Sequence, residues 1–186
     1  SMAAPGVTGS LLLLQQYHEE LFGTYMKAAT LKGLALHTAD DVNAKGPDYK
    51  MGWGVMNAKT AAEVLQNKEY TTLVNEESLS NGETFTITVK ANGNEPLMAS
   101  ISWTDPEGEY VNRGELNSTI AALRNDLDIR ITKNGATFMP WKLNPAKAND
   151  AATKGDNKVD PYERIEIANA AGDYTITVSH LSLIHI

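Results

Sequence analysis

The stretch SMAAPGVTGSLLLLQQYHEELF, residues 1–22, decides how the first part of the chain is read. From about Ala4 to Phe22, the residues Val7, Leu11, Leu14 and Leu21 recur at helical spacing, which predicts one long helix with an apolar face. Pro5 belongs in its first turn, where a missing amide donor costs least. Gly6 and Gly9 lower helix propensity, so close packing against a neighbouring element is their expected role. Gly23 ends the helix. The four leucines from Leu11 to Leu14 are not read as a targeting peptide, because no Lys or Arg precedes them and the unbroken apolar run is too short. A core helix is expected, and the residues before it read as a break in a longer chain rather than a natural start.

Outward from this helix, Tyr25 to Ala39 predicts a second one, with Met26, Ala29, Leu34 and Leu36 among small residues, closed by Asp40 and Asp41. A loop with Gly46 and Pro47 follows. In GWGVMNAKTAAEVL, residues 52–65, Gly52 and Gly54 permit a tight turn, and Asn57 caps a short helix to about Gln66.

After Tyr70 the period changes to two. ETFTITVKA (residues 83–91) sets Phe85, Ile87 and Val89 against threonines and Lys90, and PLMASISW, DLDIRITKNG, YERIEIAN and GDYTITVSH read the same way. Asn134-Gly135 and Ala171-Gly172 are the expected turns. Seven or eight short strands without intervening helices predict an antiparallel β-sandwich of jelly-roll type. Two long connections, about Thr104 to Leu123 and Asn144 to Asp160, interrupt them. The chain is therefore a multi-domain fragment by this reading: helices over residues 1–69, a sandwich over 70–181, and a tail over 182–186. The closing LSLIHI begins no recognisable element and reads as non-native peptide of the kind encoded by adapter sequence.

Composition narrows the function. A net charge of -7, from 16 Lys and Arg against 23 Asp and Glu with no basic run, argues against a nucleic-acid partner. Without cysteine there are no disulfides or thiolate metal sites. No apolar run approaches the roughly 20 residues of a membrane span.

Ser1-Met2-Ala3-Ala4-Pro5 resembles the nucleophile segment of the subtilisin-like serine peptidases (subtilases), in which a Gly-Thr-Ser-Met-Ala-x-Pro stretch opens a long buried helix. Thr38-Ala39-Asp40-Asp41 is similar to the family's next helix end, and Gly52-Trp53-Gly54-Val55-Met56-Asn57-Ala58 to the turn and helix start that follow. The resemblance covers about Ser1 to Leu65. From about Tyr70 the chain also resembles the C-terminal β domain of some secreted subtilases, on ISWTDPEG (residues 101–108) and NDLDIRI (residues 125–131).

The resemblance implies that Ser1 is the nucleophile of a Ser-His-Asp triad that hydrolyses peptide bonds. A serine hydroxyl needs a base and an orienting carboxylate, and at a helix start its own amide can help bind the oxyanion. In this family the Asp and His come before the Ser in the chain, so both are expected upstream of Ser1, as is the Asn of the oxyanion hole. None of His18, His37, His180 and His185 matches a family position, and this chain alone is expected to be inactive. The implied partners are a protein or peptide substrate and the missing N-terminal catalytic segment, and the implied location is secreted or at the cell surface.

No cofactor is required for this chemistry, although structural calcium is compatible with the intact enzyme. Asp126 and Asp128 flank Leu127 on a strand, and Asp156, Asn157 and Asp160 make an oxygen-rich loop, but neither has EF-hand spacing and no metal ligand is assigned. Trp103, Trp141 and Tyr110 suit either a sugar or peptide site or core packing, and Phe138 and Met139 beside Trp141 favour packing. Two other functions compete. The sandwich could be a non-catalytic binding module for glycan or protein, with Ser1 a helix N-cap. An N-terminal-nucleophile hydrolase is disfavoured, because a helix follows Ser1 where that class needs a strand.

Overall fold

The computed structural model describes residues 1–108, 110–116, 118 and 120–183. Three helices come first, α1 (Ala3–Phe22), α2 (Ala28–His37) and α3 (Ala58–Gln66). Eight antiparallel strands follow among the described residues: β1 (Thr84–Asn92), β2 (Leu97–Ser102), β3 (Asn125–Lys133), β4 (Ala136–Phe138), β5 (Trp141–Lys142), β6 (Thr153–Lys154), β7 (Tyr162–Ile167) and β8 (Ala171–Leu183).

The helices share a core of Leu14, Met26, Leu34, Ala61 and Leu65, with Leu11, Leu31 and Met56 packed against it. α1 joins it from Leu11 onward and not through its first two turns. Leu12 and Leu13 stay 70% and 67% exposed, and a methyl group added at Gly6 or Gly9 would meet nothing within 4 Å. The expected close packing at these glycines is thus not made within the described chain, because α2 and α3 lie on the side of Leu14 and His18. Gly23 does end α1, at φ 71, with its N–H donating to the Glu19 carbonyl.

α2 is shorter at both ends than its apolar pattern suggests. Lys27 is extended (φ -63, ψ 156), and the free end of the helix is met by Glu76, whose Oε1 accepts from the Lys27 N–H at 2.9 Å. At the other end the Thr38 hydroxyl donates to the Leu34 carbonyl, closing the last turn. Asn57 caps α3 as expected, its Oδ1 accepting from the Thr60 N–H at 2.9 Å. Asn57→Ala should lower stability by about 1 kcal/mol. Urea unfolding of the two proteins compares them directly.

One sheet has the order β1-β8-β3-β4, while β2 pairs with β7 and β5 with β6. Alternation explains the pairing. Thr84, Thr86 and Thr88 of β1 are exposed while Phe85, Ile87 and Val89 turn inward. The larger sheet and the β2–β7 pair share one core, in which Ile129, Ile131, Ile165, Ile167 and Tyr174 are buried. Asn134 (φ 49) and Gly135 (φ 81) both take positive φ, as the two-residue turn between β3 and β4 requires. The other expected turn is displaced. Ala171 and Gly172 already pair with Asn92 and Ala91 in β8, and the chain reverses at Ala168-Asn169, where Asn169 takes φ 52. Asparagine tolerates that conformation because its short side chain can bond locally.

Asp105 anchors the end of the first long connection, accepting from the backbone N–H groups of Arg124 and Asn125 at 2.5 and 3.0 Å. The second connection contains a short 3-10 turn (Pro145–Lys147) and β6. β8 continues through residues 182 and 183, opposite Asp126 and Asn125. Residues 184–186, His185 among them, lie outside the described residues.

The helices meet the β region through α2, β2 and β7. A Cβ at Gly33 would come within 2.8 Å of the Ser102 Cβ, so glycine sets how closely α2 approaches β2. The Arg164 guanidinium lies 4.7 Å over the Trp53 ring, and Nη1 donates to the Leu36 carbonyl. Tyr162 meets Trp53 edge-on at 4.9 Å. His37 stands 2.9 Å from the Ser100 hydroxyl. Burial, and secondarily the Arg164 charge, lowers its pKa to about 4.

The folded state therefore leaves His37 neutral while the unfolded chain takes up a proton near its ordinary value of 6.5. Stability should then fall as the pH drops from 6.5 towards 4, because the unfolded chain binds more protons in that window. Thermal melts across it test this, and His37→Asn should lose that part of the slope.

Candidate functional site

Ser1 and Met2 precede α1, both exposed, with Met2 in the N-cap position. Pro5 occupies the third helical position, where its missing N–H breaks no bond because the first turn has no intrahelical acceptor. The start of α1 thus offers free amides and the positive end of the helix dipole next to Ser1, a setting that favours developing negative charge. Ala3 and Ala4 beside it are small and exposed.

The described histidines are engaged elsewhere. His18 Nδ1 lies 2.6 Å from the Thr24 carbonyl oxygen, and the ring packs on Phe22 at 4.8 Å. His37 bonds Ser100 at the junction with the β region, and Nδ1 of His180, in β8, lies 3.2 Å from the Leu79 carbonyl oxygen. Among the described residues no imidazole–carboxylate pair is brought to Ser1.

The second motif builds a tight corner. Asp40 and Val55 exchange both backbone hydrogen bonds, at 2.8 and 3.0 Å, and tie the end of α2 to the start of α3. Gly54, at φ 115, lets the chain pass directly over the Asp40 carbonyl. Asn57 secures the corner from its side chain, with Nδ2 donating to both Asp40 carboxylate oxygens at 3.0 and 3.1 Å. Trp53 projects from the same turn onto Arg164 and Tyr162.

The carboxylates singled out in the sequence do gather in part. Asp128 and Asp156 come together with Glu163, each bringing one oxygen within 4.8 Å of the others. Asn157 bonds Asp160 and the Tyr162 carbonyl instead. Asp126 is 6% exposed and its Oδ1 has no hydrogen-bond partner. Glu163 is fully buried and accepts from the Ile129 N–H at 2.8 Å. Burial pushes Glu163 up to about 8 and Asp128 up to about 6. Asp156 is also partly buried, but hydrogen bonds with Asp128, Lys158 and Arg130 hold it below its ordinary value.

The middle of this group is filled by Arg130. Its Nη2 donates to Asp128 at 2.6 Å and to Asp156 at 2.5 Å, and Nη1 lies 3.6 Å from Glu163. A guanidinium already in contact with all three carboxylates does not fit a resident calcium ion among them. Sequence reading passed over Glu163 and Arg130. Alternation along YERIEI does put Glu163 on the face of Ile165 and Ile167, the one available sign that its carboxyl would be buried.

The aromatic residues do not form a common platform. Trp103 is buried, Trp141 carries the Lys154 ammonium 3.2 Å over its ring, and the Tyr110 hydroxyl bonds Ser118 and Glu115. Phe138 packs on the β core and tilts against Tyr174, in keeping with the packing role.

Residues 1–54 match the model of the Subtilase family. The matched segment runs from Ser1 through α1 and α2 to Gly54 of the corner, so it contains both motifs that carry the resemblance except the Val55–Ala58 end of the second. The match supports a peptidase-family relationship for this part of the chain, which is less than half of it. A similar protein is serotype-specific antigen 1 of Mannheimia haemolytica, 32% identical over 84 residues, which is 44% of this chain and 8% of that protein. The similarity thus spans a small fraction of that relative's length. No helix among the described residues is long and apolar enough to cross a membrane.

Proposed function

We propose that this chain is the C-terminal part of a secreted subtilisin-like serine endopeptidase, with Ser1 as its nucleophile. The observation that carries the reading is the subtilase match over residues 1–54, in which Ser1 stands just ahead of α1. In the intact enzyme the Ser1 hydroxyl attacks the scissile carbonyl while an upstream histidine takes its proton, and an upstream aspartate holds the imidazolium. The Ser1 amide and the start of α1 stabilise the oxyanion, the histidine returns the proton to the leaving amine, and water releases the acyl group.

Two features of the helices support a longer catalytic domain. Gly6 and Gly9 face open space, and Leu12 and Leu13 are exposed on a helix whose far half is packed. An element of the upstream segment laid against this side would bury them. The antiparallel four-stranded sheet and the β2–β7 pair, which share one apolar core among the described residues, support the β region as a sandwich of jelly-roll type attached to that domain.

The test is labelling by a serine-reactive fluorophosphonate. A longer form that carries the upstream segment should be labelled at Ser1, and the 186-residue chain should not. A longer form that is folded and unlabelled, or labelled at another serine, overturns the proposal.

A further inference from the structure

β3 carries Asp128 and Arg130 two residues apart, opposite Ser179 and Thr177 of β8 with no irregularity between them. Both side chains therefore leave the strand on the same face. Asp156 reaches that face from the connection between β6 and β7, and Glu163 from β7 itself. Asp128 on β3 thus meets, through their carboxylates, two residues of a later stretch, Asp156 and Glu163. The spacing of these oxygens is that of a donor set for a divalent cation.

The cation present belongs to the chain. The guanidinium of Arg130 is planar, always charged and rich in donors, and one nitrogen bridges Asp128 and Asp156 while the other bonds the Ile129 carbonyl and faces Glu163. Lys158 adds a second positive charge at the rim, 3.2 Å from the outer oxygen of Asp156. A calcium ion needs six to eight oxygens at about 2.3–2.6 Å. It cannot approach Asp128 and Asp156 that closely while a guanidinium nitrogen is shared between them. Beside them Asp126 is buried with an oxygen that has no hydrogen-bond partner, a donor left over once the guanidinium is satisfied.

We propose that Arg130 is a built-in cation that replaces a structural metal: it ties β3, β7 and the loop carrying Asp156 together, keeps divalent ions out, and hides a calcium site that its removal would open. The inference is independent of the role of Ser1.

Thermal melting and isothermal titration of the full 186-residue chain with calcium chloride alone, against EDTA, test it. The unsubstituted chain should melt at the same temperature in both and give no binding heat. Arg130→Ala should melt roughly 10 °C lower in EDTA, because unpaired buried carboxylates are left behind, and should regain most of that loss in millimolar calcium. Arg130→Lys keeps the charge without the fork, and should melt at an intermediate temperature with a smaller calcium response than the alanine variant.

A rise in melting temperature with calcium in the unsubstituted chain overturns the proposal. So does an alanine variant that ignores calcium, or that stays unfolded with and without it. Recovery of folding only in calcium supports it.

Discussion

Replacing Ser1 by alanine in the longer protein should lower kcat for peptide hydrolysis by about 10⁶-fold with little change in KM, the loss known for subtilisin itself when its nucleophile is removed. On the proposed role of Ser1, the step that fails is the attack on the scissile carbonyl. What remains is the slow water reaction assisted by the oxyanion donors and by substrate binding. The fold should be untouched, because Ser1 is exposed and stands outside α1. Initial rates with a peptide substrate and circular dichroism of both proteins give the result. Wild-type rates from the Ser1→Ala protein would remove the serine-peptidase reading.

Gly54→Ala should cost about 3 kcal/mol and disrupt the corner between α2 and α3. A Cβ at Gly54 would lie 2.0 Å from the Asp40 carbonyl oxygen, so the two segments must separate. Separation breaks the paired backbone bonds between Asp40 and Val55, at about 0.5–1.5 kcal/mol each, since both residues are exposed and water can replace the lost partner. Alanine at φ 115 adds about 1–3 kcal/mol of backbone strain. Gly52 is the control: it also has a positive φ, 59, but a methyl group there meets nothing within 4 Å. Gly52→Ala should therefore cost only about 1 kcal/mol, from strain alone. Urea unfolding measures both. Trp53 fluorescence should shift to the red in Gly54→Ala as the ring leaves Arg164 and Tyr162, and an unchanged spectrum with unchanged stability would contradict the close contact.

The sequence by itself determined the local structure. Leucine spacing marked α1, Asn57 marked the start of α3, and strict alternation marked β1, β2, β3, β7 and β8. These are properties of one segment at a time, set by periodicity and by the few side chains that can end a helix or turn a strand. It also carried the two motifs in the N-terminal segment, because the tight corner can use only glycine where backbone meets backbone, at Gly54.

What depended on several segments at once was decided only by tertiary structure. Gly6 and Gly9 read as packing residues, yet the face they need lies uncovered, since the helices that follow fold onto Leu14 instead. Asp126 with Asp128, and Asp156 with Asn157 and Asp160, read as two separate clusters compatible with calcium, but whether carboxylates hold a metal depends on which charge comes to lie among them. Arg130 was in plain view two residues from Asp128. Only the convergence of β3, β7 and the Asp156 loop put its guanidinium against three carboxylates, and that contact turned a candidate metal site into an ion-paired one.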